Sequence, residues 1–431
     1  MEYIAYNLKT FKNIPFIKNL SQEQIFDIEV VGEVLPFKVN NYVVNELINW
    51  TNFETDPIFI LTFPQKRMLS EKHFKKMAQL IQDKATRQKI VHTANQIRKE
   101  LNPNPAGQGK NIPKLNGTQL FGTQYKYKQT LLFFPSQGQT CHAYCTFCFR
   151  WPQFTGIHEL KFTTKRIDLV IEFLRKNPQI SDLLITGGDP MVMKSKLFAD
   201  YINTILTANI PNLKTIRIGT KTLSYWPYRY TSDDDAQLLL DTFQQITDAG
   251  INLSIMAHIN HPIEMDTPVF AEAVHKIRAS GAIIRSQSPL IKHLNDDAEV
   301  WAQMWRKQVN MGIIPYYMFV ARNTGAHEYF ALSLEKAYNI YREAYIQLSG
   351  LCRTVRGPVM SCYPGKIQLT GISEIKGEKV FILNFIQARD TDWVGKAFFA
   401  QYNPDALWLN DLQPAFADKF IFEEKTPQIH G

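Results

Sequence analysis

Between residues 126 and 348 the chain repeats one pattern, in which a short apolar or β-branched run precedes a window with apolar positions at helical spacing. The six runs predict strands at Thr130–Phe134, Asp182–Ile185, Thr215–Ile218, Leu253–Ala257, Ala282–Arg285 and Ile314–Phe319. The windows predict helices at Lys165–Lys176, Lys196–Leu206, Asp234–Ala249, Val269–Ser280, Glu299–Asn310 and Leu334–Leu348. Without hairpin signals between them, such strands pair in parallel. We therefore expect an α/β fold, a partial (βα)6 TIM-like barrel with function in the loops after its strands.

The segments on either side of this barrel have different patterns. Residues 1–125 contain amphipathic helical windows, such as Ser21–Glu29 and 70–101, followed by an irregular stretch rich in Pro, Gly and Asn at 102–119. Residues 349–431 are aromatic and irregular, with strands predicted at Lys366–Leu369 and Val380–Phe385. The sequence thus predicts an N-terminal mainly helical region at 1–125, the barrel at 126–348, and a C-terminal irregular and β extension at 349–431 that covers the barrel.

Composition and charge exclude several classes of protein. The chain has 431 residues, of which 45% are hydrophobic, so it is neither disordered nor a simple repeat. No apolar run approaches the ~18 residues of a membrane span, and the first residues do not form a signal peptide. The net charge of +8 is spread along the chain, and its densest basic stretch, 70–101, resembles a solvated helix face. We expect a cytoplasmic protein without membrane or nucleic-acid partners.

Three of the five cysteines lie within eight residues, in the sequence GQTCHAYCTFCFR. Cys141, Cys145 and Cys148 follow the first predicted strand directly, and three thiolates on one loop suit a soft metal or an iron–sulfur cluster. Structural zinc would require a further ligand group, and no suitably spaced pair occurs elsewhere in the sequence. A four-iron cluster with three protein ligands leaves one iron open to a small molecule. Disulfides are not expected in a chain without an export signal.

A second motif, LLITGGDPM, follows the second predicted strand. Its residues Gly187 and Gly188 would let the backbone approach a ligand closely, with Asp189 beside them. A glycine-rich turn is by itself weak evidence for a site.

The cysteine spacing is that of the radical S-adenosylmethionine (SAM) enzymes, and from Leu35 to Phe385 the chain resembles lysine 2,3-aminomutase and its relatives. The resemblance is carried by DPIFILTFP (56–64), NPNPAGQ (102–108), YKYKQTLLFFPSQGQTCHAYCTFCFR (125–150), ITGGDP (185–190), AHINHP (257–262), RSQSPLIKHLND (285–296), IPYYMF (314–319) and GPVM (357–360).

This resemblance implies a [4Fe-4S] cluster on the three cysteines, with SAM bound to its open iron. Reductive cleavage of SAM then yields a 5′-deoxyadenosyl radical that abstracts hydrogen from the substrate. The resemblance also assigns SAM contacts to Gly187, Gly188, Asp189, His258 and Gln287, and places the substrate carboxylate on Arg150. It further implies an electron donor such as flavodoxin or ferredoxin, and a possible homo-oligomer.

The chain departs from the aminomutases at the residues that would bind pyridoxal phosphate (PLP). Arg356, in CRTVRGPVM, stands where the family has its PLP lysine, and an arginine cannot form the Schiff base. Thr130 stands where an arginine grips the PLP phosphate. Arg322 occupies the place of an aspartate that pairs with the substrate ammonium, and favours an anionic group instead, unless it pairs with Glu328. PLP is therefore not expected.

Three functions remain open at this point. The first is a radical SAM enzyme without PLP, which abstracts hydrogen from a small, anionic substrate held by Arg150 and Arg322. The second is a PLP-dependent 2,3-aminomutase with a relocated lysine, Lys366, which the sequence otherwise presents as an ordinary turn lysine. The third is a non-catalytic iron–sulfur or RNA-binding protein. The step that follows hydrogen abstraction is open: epimerisation, dehydrogenation, elimination or rearrangement.

Overall fold

The computed structural model describes residues 1–102, 109–157 and 162–423. Most of the NPNPAGQ segment, which belongs to the predicted irregular stretch, lies outside the described residues. No helix within the described ranges is long and apolar enough to cross a membrane.

The N-terminal region is mainly helical. Its elements are β1 (Ala5–Asn7), α1 (Gln22–Val34), β2 (Lys38–Asn40), α2 (Pro57–Thr62), α3 (Glu71–Gln82), α4 (Arg87–Glu100), β3 (Lys114–Leu115) and β4 (Thr118–Gln119). Ser21 begins α1 with a reciprocal capping box to Gln24, which satisfies two backbone N–H groups at the helix start. The helical window at 70–101 forms two helices because Lys84 adopts a left-handed φ of 49° and Thr86 caps α4.

The central region alternates strands and helices as predicted. It contains β5 (Thr123–Tyr127), β6 (Thr130–Phe133), α5 (Ile167–Lys176), β7 (Asp182–Ile185), α6 (Ser195–Thr207), β8 (Thr215–Thr220), α7 (Thr222–Tyr225), α8 (Ala236–Asp248), β9 (Asn252–His258), α9 (Pro268–Ala279), β10 (Ile283–Leu290), α10 (Ala298–Asn310), β11 (Ile314–Val320), α11 (His327–Phe330) and α12 (Leu334–Ile346). The strands from β6 to β11 pair in parallel in chain order. Apolar faces of the intervening helices bury the sheet on one side, including Phe198, Phe243 and Trp305.

The C-terminal region is more regular than predicted. β12 (Arg356–Ser361) adds a further parallel strand, and β13 (Gly365–Ile375), β14 (Glu378–Ala388) and β15 (Ala397–Gln401) continue the same sheet in antiparallel order. The six predicted strands pair in parallel as expected, but at the other edge β5, which was not predicted, forms an antiparallel hairpin with β6. The fold is mixed α/β, with one sheet of eleven strands in the described residues.

The missed strands have local causes. The β5–β6 hairpin turns through Lys128 and Gln129, neither of which is a glycine, asparagine or aspartate that would mark a hairpin in the sequence. β12 contains Gly357 and Pro358, two residues that are usually depleted in strands.

The N-terminal helices pack on the loops that follow the parallel strands. Their apolar core, which includes Val43 and Phe63, is continuous with Trp151, Trp226 and Ile291 from those loops. The N-terminal region therefore covers the loops in which the barrel pattern predicts the functional residues.

Candidate active site in the loops after the parallel strands

The loop that carries Cys141, Cys145 and Cys148, here called the cysteine loop, follows β6. Hydrogen bonds to the N-terminal region hold it in place. The Lys38 ammonium donates to the carbonyl oxygen of Cys141 at 2.8 Å, and the Lys38 carbonyl accepts the N–H of Tyr144 at 2.8 Å. Thr146 donates its N–H to the Leu61 carbonyl at 2.9 Å. These hydrogen bonds hold the loop both before and after Cys145, and all of them are made by the protein itself.

The three thiols are close enough to influence one another electrostatically. Partial burial and the neighbouring Cys148 together raise the pKa of Cys145 to about 12, although the charge of Lys221 lowers it; the pKa of Cys141 is raised by burial, by Asp189 and by both other thiols. The Sγ atom of Cys145 lies 3.1 Å from the hydroxyl of Tyr225, which can donate a hydrogen bond to a thiolate.

A [4Fe-4S] cluster fits the chemistry of this donor set, because iron–sulfur clusters are held by thiolates and each thiolate binds a different iron. Within the described residues, no three His, Cys, Asp or Glu side chains are grouped so as to hold a single metal ion. Cys141, Cys145 and Cys148 are all partly exposed, whereas Cys352 and Cys362 are buried. The three loop thiols are therefore accessible to a cluster that all three could bind.

The two glycines of the second motif approach the segment that precedes Cys141. A Cβ atom on Gly188 would lie 2.6 Å from the carbonyl oxygen and 2.7 Å from the nitrogen of Thr140, and one on Gly187 would lie 2.7 Å from the carbonyl oxygen of Gly138. Any larger residue at Gly188 would therefore displace the backbone that leads into the cysteine loop. The structure thus shows a close approach of both glycines to the protein itself, and their predicted approach to a ligand stays a prediction.

The Asp189 side chain is buried and forms its hydrogen bonds with other residues of the protein. Its carboxylate accepts hydrogen bonds from the Thr220 hydroxyl at 2.7 Å, the Lys221 N–H at 2.8 Å, and the Thr222 N–H and hydroxyl at 3.0 and 2.9 Å. It also caps the turn after it by accepting the N–H of Met191 at 3.0 Å. The carboxylate therefore ties the turn after β7 to the loop after β8. The predicted contact of this residue with SAM stays a prediction.

His258, the last residue of β9, is the cross-strand partner of Gln287 in β10. Burial lowers the pKa of His258 to about 3, with further lowering by the positive charges of Lys221 and Arg150, so its imidazole is neutral at pH 7. The structure thus brings together the two side chains to which the resemblance assigns SAM contacts, and it places the charge of Arg150 near them.

A cavity of about 970 Å³ opens beside the cysteine loop, and Phe149 and Arg150 form its wall on that side. The Arg150 guanidinium lies 4.7 Å from the Phe134 ring centroid, and its Nη1 is buried with no hydrogen-bond partner among the described residues. Arg322 lines the same cavity, 4.4 Å from the Phe149 ring centroid, and donates to the Ser361 hydroxyl at 3.1 Å. Arg322 forms no ion pair with Glu328. Both arginines predicted to hold the substrate therefore face one space.

Lys366 lies in the wall of this cavity and is not an ordinary turn lysine. Its ammonium donates to the Gln387 side chain at 2.8 Å and lies 4.6 Å from the Tyr317 ring centroid. Burial, together with nearby cations, lowers the pKa of Lys366 to about 7. The predicted strand start at Lys366 is correct within one residue, since β13 begins at Gly365; what the sequence did not indicate is that this lysine lines a cavity.

Comparison with known proteins gives consistent relatives. A putative L-lysine 2,3-aminomutase of Aquifex aeolicus is 27% identical over 411 residues, which cover 95% of this chain and 96% of that protein. The L-lysine 2,3-aminomutase of Haemophilus influenzae is 31% identical over 226 residues, 52% of this chain and 62% of that protein. No family model matches the chain.

Its homologues are lysine 2,3-aminomutase-like proteins of the radical SAM superfamily. Such homologues indicate that the chain is an enzyme. Among solved structures, Streptococcus suis SuiB bound to precursor peptide SuiA matches with a TM-score of 0.35 and 13% identity, over 72% of this chain and 67% of that one. The radical SAM methyltransferase TsrM of Kitasatospora setae matches with a TM-score of 0.30 and 11% identity, over 44% and 37% of the two chains.

Four further residues of the candidate site were not assigned to it from the sequence. Tyr225 reaches the cysteine loop from α7, and Lys38 reaches it from β2, about a hundred residues away in the chain. Lys126 and Arg389 line the cavity from β5 and from the end of β14. Lys38, Tyr225 and Arg389 lie outside the quoted motifs, and Lys126 lies inside the segment 125–150, but only the contacts between distant segments reveal their place in the site.

We expect Gly188→Ala to disturb the cysteine loop, because the new methyl group would overlap the backbone of Thr140. Overpacking of this kind costs about 1–3 kcal/mol. The variant should unfold at a lower temperature and retain less iron after reconstitution. Gly350→Ala is the matched control, since a Cβ atom there meets nothing within 4 Å. Equal melting temperatures and iron contents in the two variants would contradict this assignment of the glycine.

Proposed function

We propose that this aminomutase-like protein is a radical SAM enzyme that acts on a small, anionic substrate without PLP. In this proposal the strands from β6 to β11 and their helices form a partial (βα)6 barrel. Cys141, Cys145 and Cys148 hold a [4Fe-4S] cluster. The observation that carries the proposal is that the loop bearing these cysteines leads directly, through Arg150, into a cationic cavity.

Together, the cluster and SAM would supply a 5′-deoxyadenosyl radical able to abstract a substrate hydrogen atom. The chain contributes the surroundings of that reaction. We assign SAM contacts to Gly187, Gly188, Asp189, His258 and Gln287, of which Asp189 would act through its backbone because its carboxylate is engaged. An electron donor such as flavodoxin or ferredoxin is the partner that this chemistry requires.

Arg150 and Arg322 are the groups that would hold the substrate. Two guanidinium groups facing one cavity favour a carboxylate or phosphate, which they can bind through paired N–H donors. The unpartnered Nη1 of Arg150 offers a buried donor that gains a partner when an anion binds. The substrate would thus be oriented at the end of the cavity nearest the cysteine loop.

The absence of PLP is proposed from the residues at its expected positions. Thr130 donates its hydroxyl to Asp182 at 2.9 Å and supplies no guanidinium for a phosphate. The Arg356 guanidinium lies 4.8 Å from the Tyr316 ring centroid and donates to the Tyr317 hydroxyl at 3.4 Å. Neither arrangement offers an amine for a Schiff base.

The cysteine assignment is tested by SAM cleavage. Protein reconstituted anaerobically with iron and sulfide and then reduced should form 5′-deoxyadenosine, and Cys141→Ala, Cys145→Ala and Cys148→Ala should each reduce the rate to background. Cys352→Ala is the control for a buried thiol far from the loop and should keep the wild-type rate. Cleavage by the triple loop variant would contradict the proposal.

A PLP-dependent aminomutase that uses Lys366 is the second candidate. The observation in its favour is the buried Lys366 amine, whose pKa of about 7 leaves a substantial unprotonated, nucleophilic fraction at neutral pH. The two candidates differ in whether this amine forms a Schiff base.

We expect no stable phosphopyridoxyl label after the reconstituted protein is incubated with PLP and reduced with borohydride. Peptide mass spectrometry reads out the result, and Lys366→Ala identifies any label at that position. A label on Lys366 in near-stoichiometric yield, lost in the variant, would replace the first candidate by the second and direct the substrate search to amino acids.

A further inference from the structure

The cavity beside the cysteine loop carries more positive charge than a single anionic group would need. Within the ranges that the structure describes, seven basic side chains line it: Lys110, Lys126, Arg150, Arg217, Arg322, Lys366 and Arg389. Two acidic residues of the same ranges do so, and each accepts a hydrogen bond from a nearby backbone N–H: Asp411 accepts that of Trp408 at 3.0 Å, and Glu423 accepts that of Phe420 at 2.9 Å.

Among the described residues, Arg217 is the only one of the seven basic side chains with an acidic partner, since it donates to Asp182 at 2.8 Å. Two buried cations elsewhere in the described residues are each paired: Lys221 lies 2.9 Å from Glu264, and Arg229 contacts Asp235. Apart from Lys110, which is exposed, the cavity cations are partly buried, and like charges repel one another more strongly there than in water. Cations gathered without acids in one cavity therefore indicate that a ligand supplies the negative charge.

The unpaired cations form two groups. The arginine pair, Arg150 and Arg322, lies beside Phe149, at 5.1 and 4.4 Å from its ring centroid. The lysine pair, Lys126 and Lys366, lies around Tyr127, with the two Nζ atoms 5.2 and 5.6 Å from that ring centroid.

Each lysine retains hydrogen-bonding capacity toward the cavity. Lys126 donates to the carbonyl oxygen of Cys362, and Lys366 donates to the side chain of Gln387. A protonated amine has three N–H donors, so one bond to the protein leaves others for a ligand. Arg389, which binds Asn111 and the Tyr363 carbonyl, adds a further positive charge near Lys126.

We propose that the lysine pair is a second anion-binding subsite, so that the substrate carries an anionic group at each end, one on the arginine pair and one on the lysine pair. This inference rests on the proposed function, because it takes the cavity to be the substrate site. It narrows the substrate class to small molecules with two separate carboxylate or phosphate groups.

The test compares the affinities of the protein for dicarboxylates and for monocarboxylates. Binding of α,ω-dicarboxylates from malonate to adipate, and of monocarboxylates of matched chain length, is measured by calorimetry on the reconstituted protein with SAM present. We expect at least one dicarboxylate to bind about tenfold or more tightly than its matched monocarboxylate, because a second charged hydrogen bond is added. Equal affinities across the whole series would overturn the inference.

Substitutions of the two lysines then test whether they bind the second carboxylate of the ligand. Lys126→Met and Lys366→Met should each remove most of the preference for the dicarboxylate, whereas Lys366→Arg should keep it. Lys128→Met, at an exposed lysine in the β5–β6 turn, is the matched control and should change nothing. Near-ultraviolet circular dichroism shows whether each variant is folded. Loss of monocarboxylate and dicarboxylate binding in equal proportion by folded variants would contradict a separate lysine subsite.

The dicarboxylate preference should also fall as the pH rises from 7 to 9. The pKa of each lysine is lowered to about 7, so the ammonium form that binds an anion is lost as the pH rises above 7, while both carboxylates of the ligand stay ionised over this range. The charged or titratable groups around Lys126 are Arg322, Arg389 and Cys362; those around Lys366 are Arg217, Asp182, Arg356 and Lys126. A preference that does not change with pH would argue against the lysines.

Two controls separate this inference from the proposed function. Formation of 5′-deoxyadenosine by the wild-type protein without a dicarboxylate preference would reject the lysine subsite alone, and failure of SAM cleavage would reject the proposed function. A borohydride-stable PLP label on Lys126 or Lys366 would show that the lysine pair serves a phosphate-bearing aldehyde cofactor, which would overturn its assignment to the substrate.

Discussion

The close approach of the Gly187–Gly188 turn to the backbone at 138–140 is the contact on which the candidate site depends. It leaves no room for a side chain, so it fixes where the segment before Cys141 runs. Asp189 then ties this turn to the loop after β8, from which Tyr225 reaches Cys145. The three cysteines and Arg150 follow in the same loop. Their placement is therefore a property of the protein's own packing, and a cluster would bind to a loop that is already held in position.

The charged side chains that line the neighbouring cavity determine which ligands it can bind. Buried charges near the parallel strands are generally matched within the protein, as with Lys221 and Glu264. The cavity differs, because its arginine and lysine pairs have no acidic partners among the described residues. A site for a substrate ammonium would need carboxylates there. In our proposal, Arg322 therefore belongs to a cavity that accepts anions.

Much of the central region could be predicted because each strand and helix there has a strong local pattern. The predicted helix Glu299–Asn310 differs by one residue from α10, and the predicted strand Asp182–Ile185 is β7. The C-terminal sheet was underestimated, since its antiparallel strands depend on pairing across distant segments more than on periodicity. The strand start at Lys366 was predicted, but for the same reason its place in the cavity wall was not. The cysteine spacing was visible in the sequence, whereas the partners that fix the loop, such as Lys38 and Tyr225, are distant in the chain.

The central claim is that the cysteine loop carries a cluster with one iron open to SAM. It is tested most directly by the electron paramagnetic resonance spectrum of the reduced, reconstituted protein, recorded before and after SAM is added. The account predicts a [4Fe-4S] signal that changes when SAM is added and that is missing from the variant lacking Cys141, Cys145 and Cys148. A signal that SAM leaves unchanged, or one that persists in this variant, would contradict it.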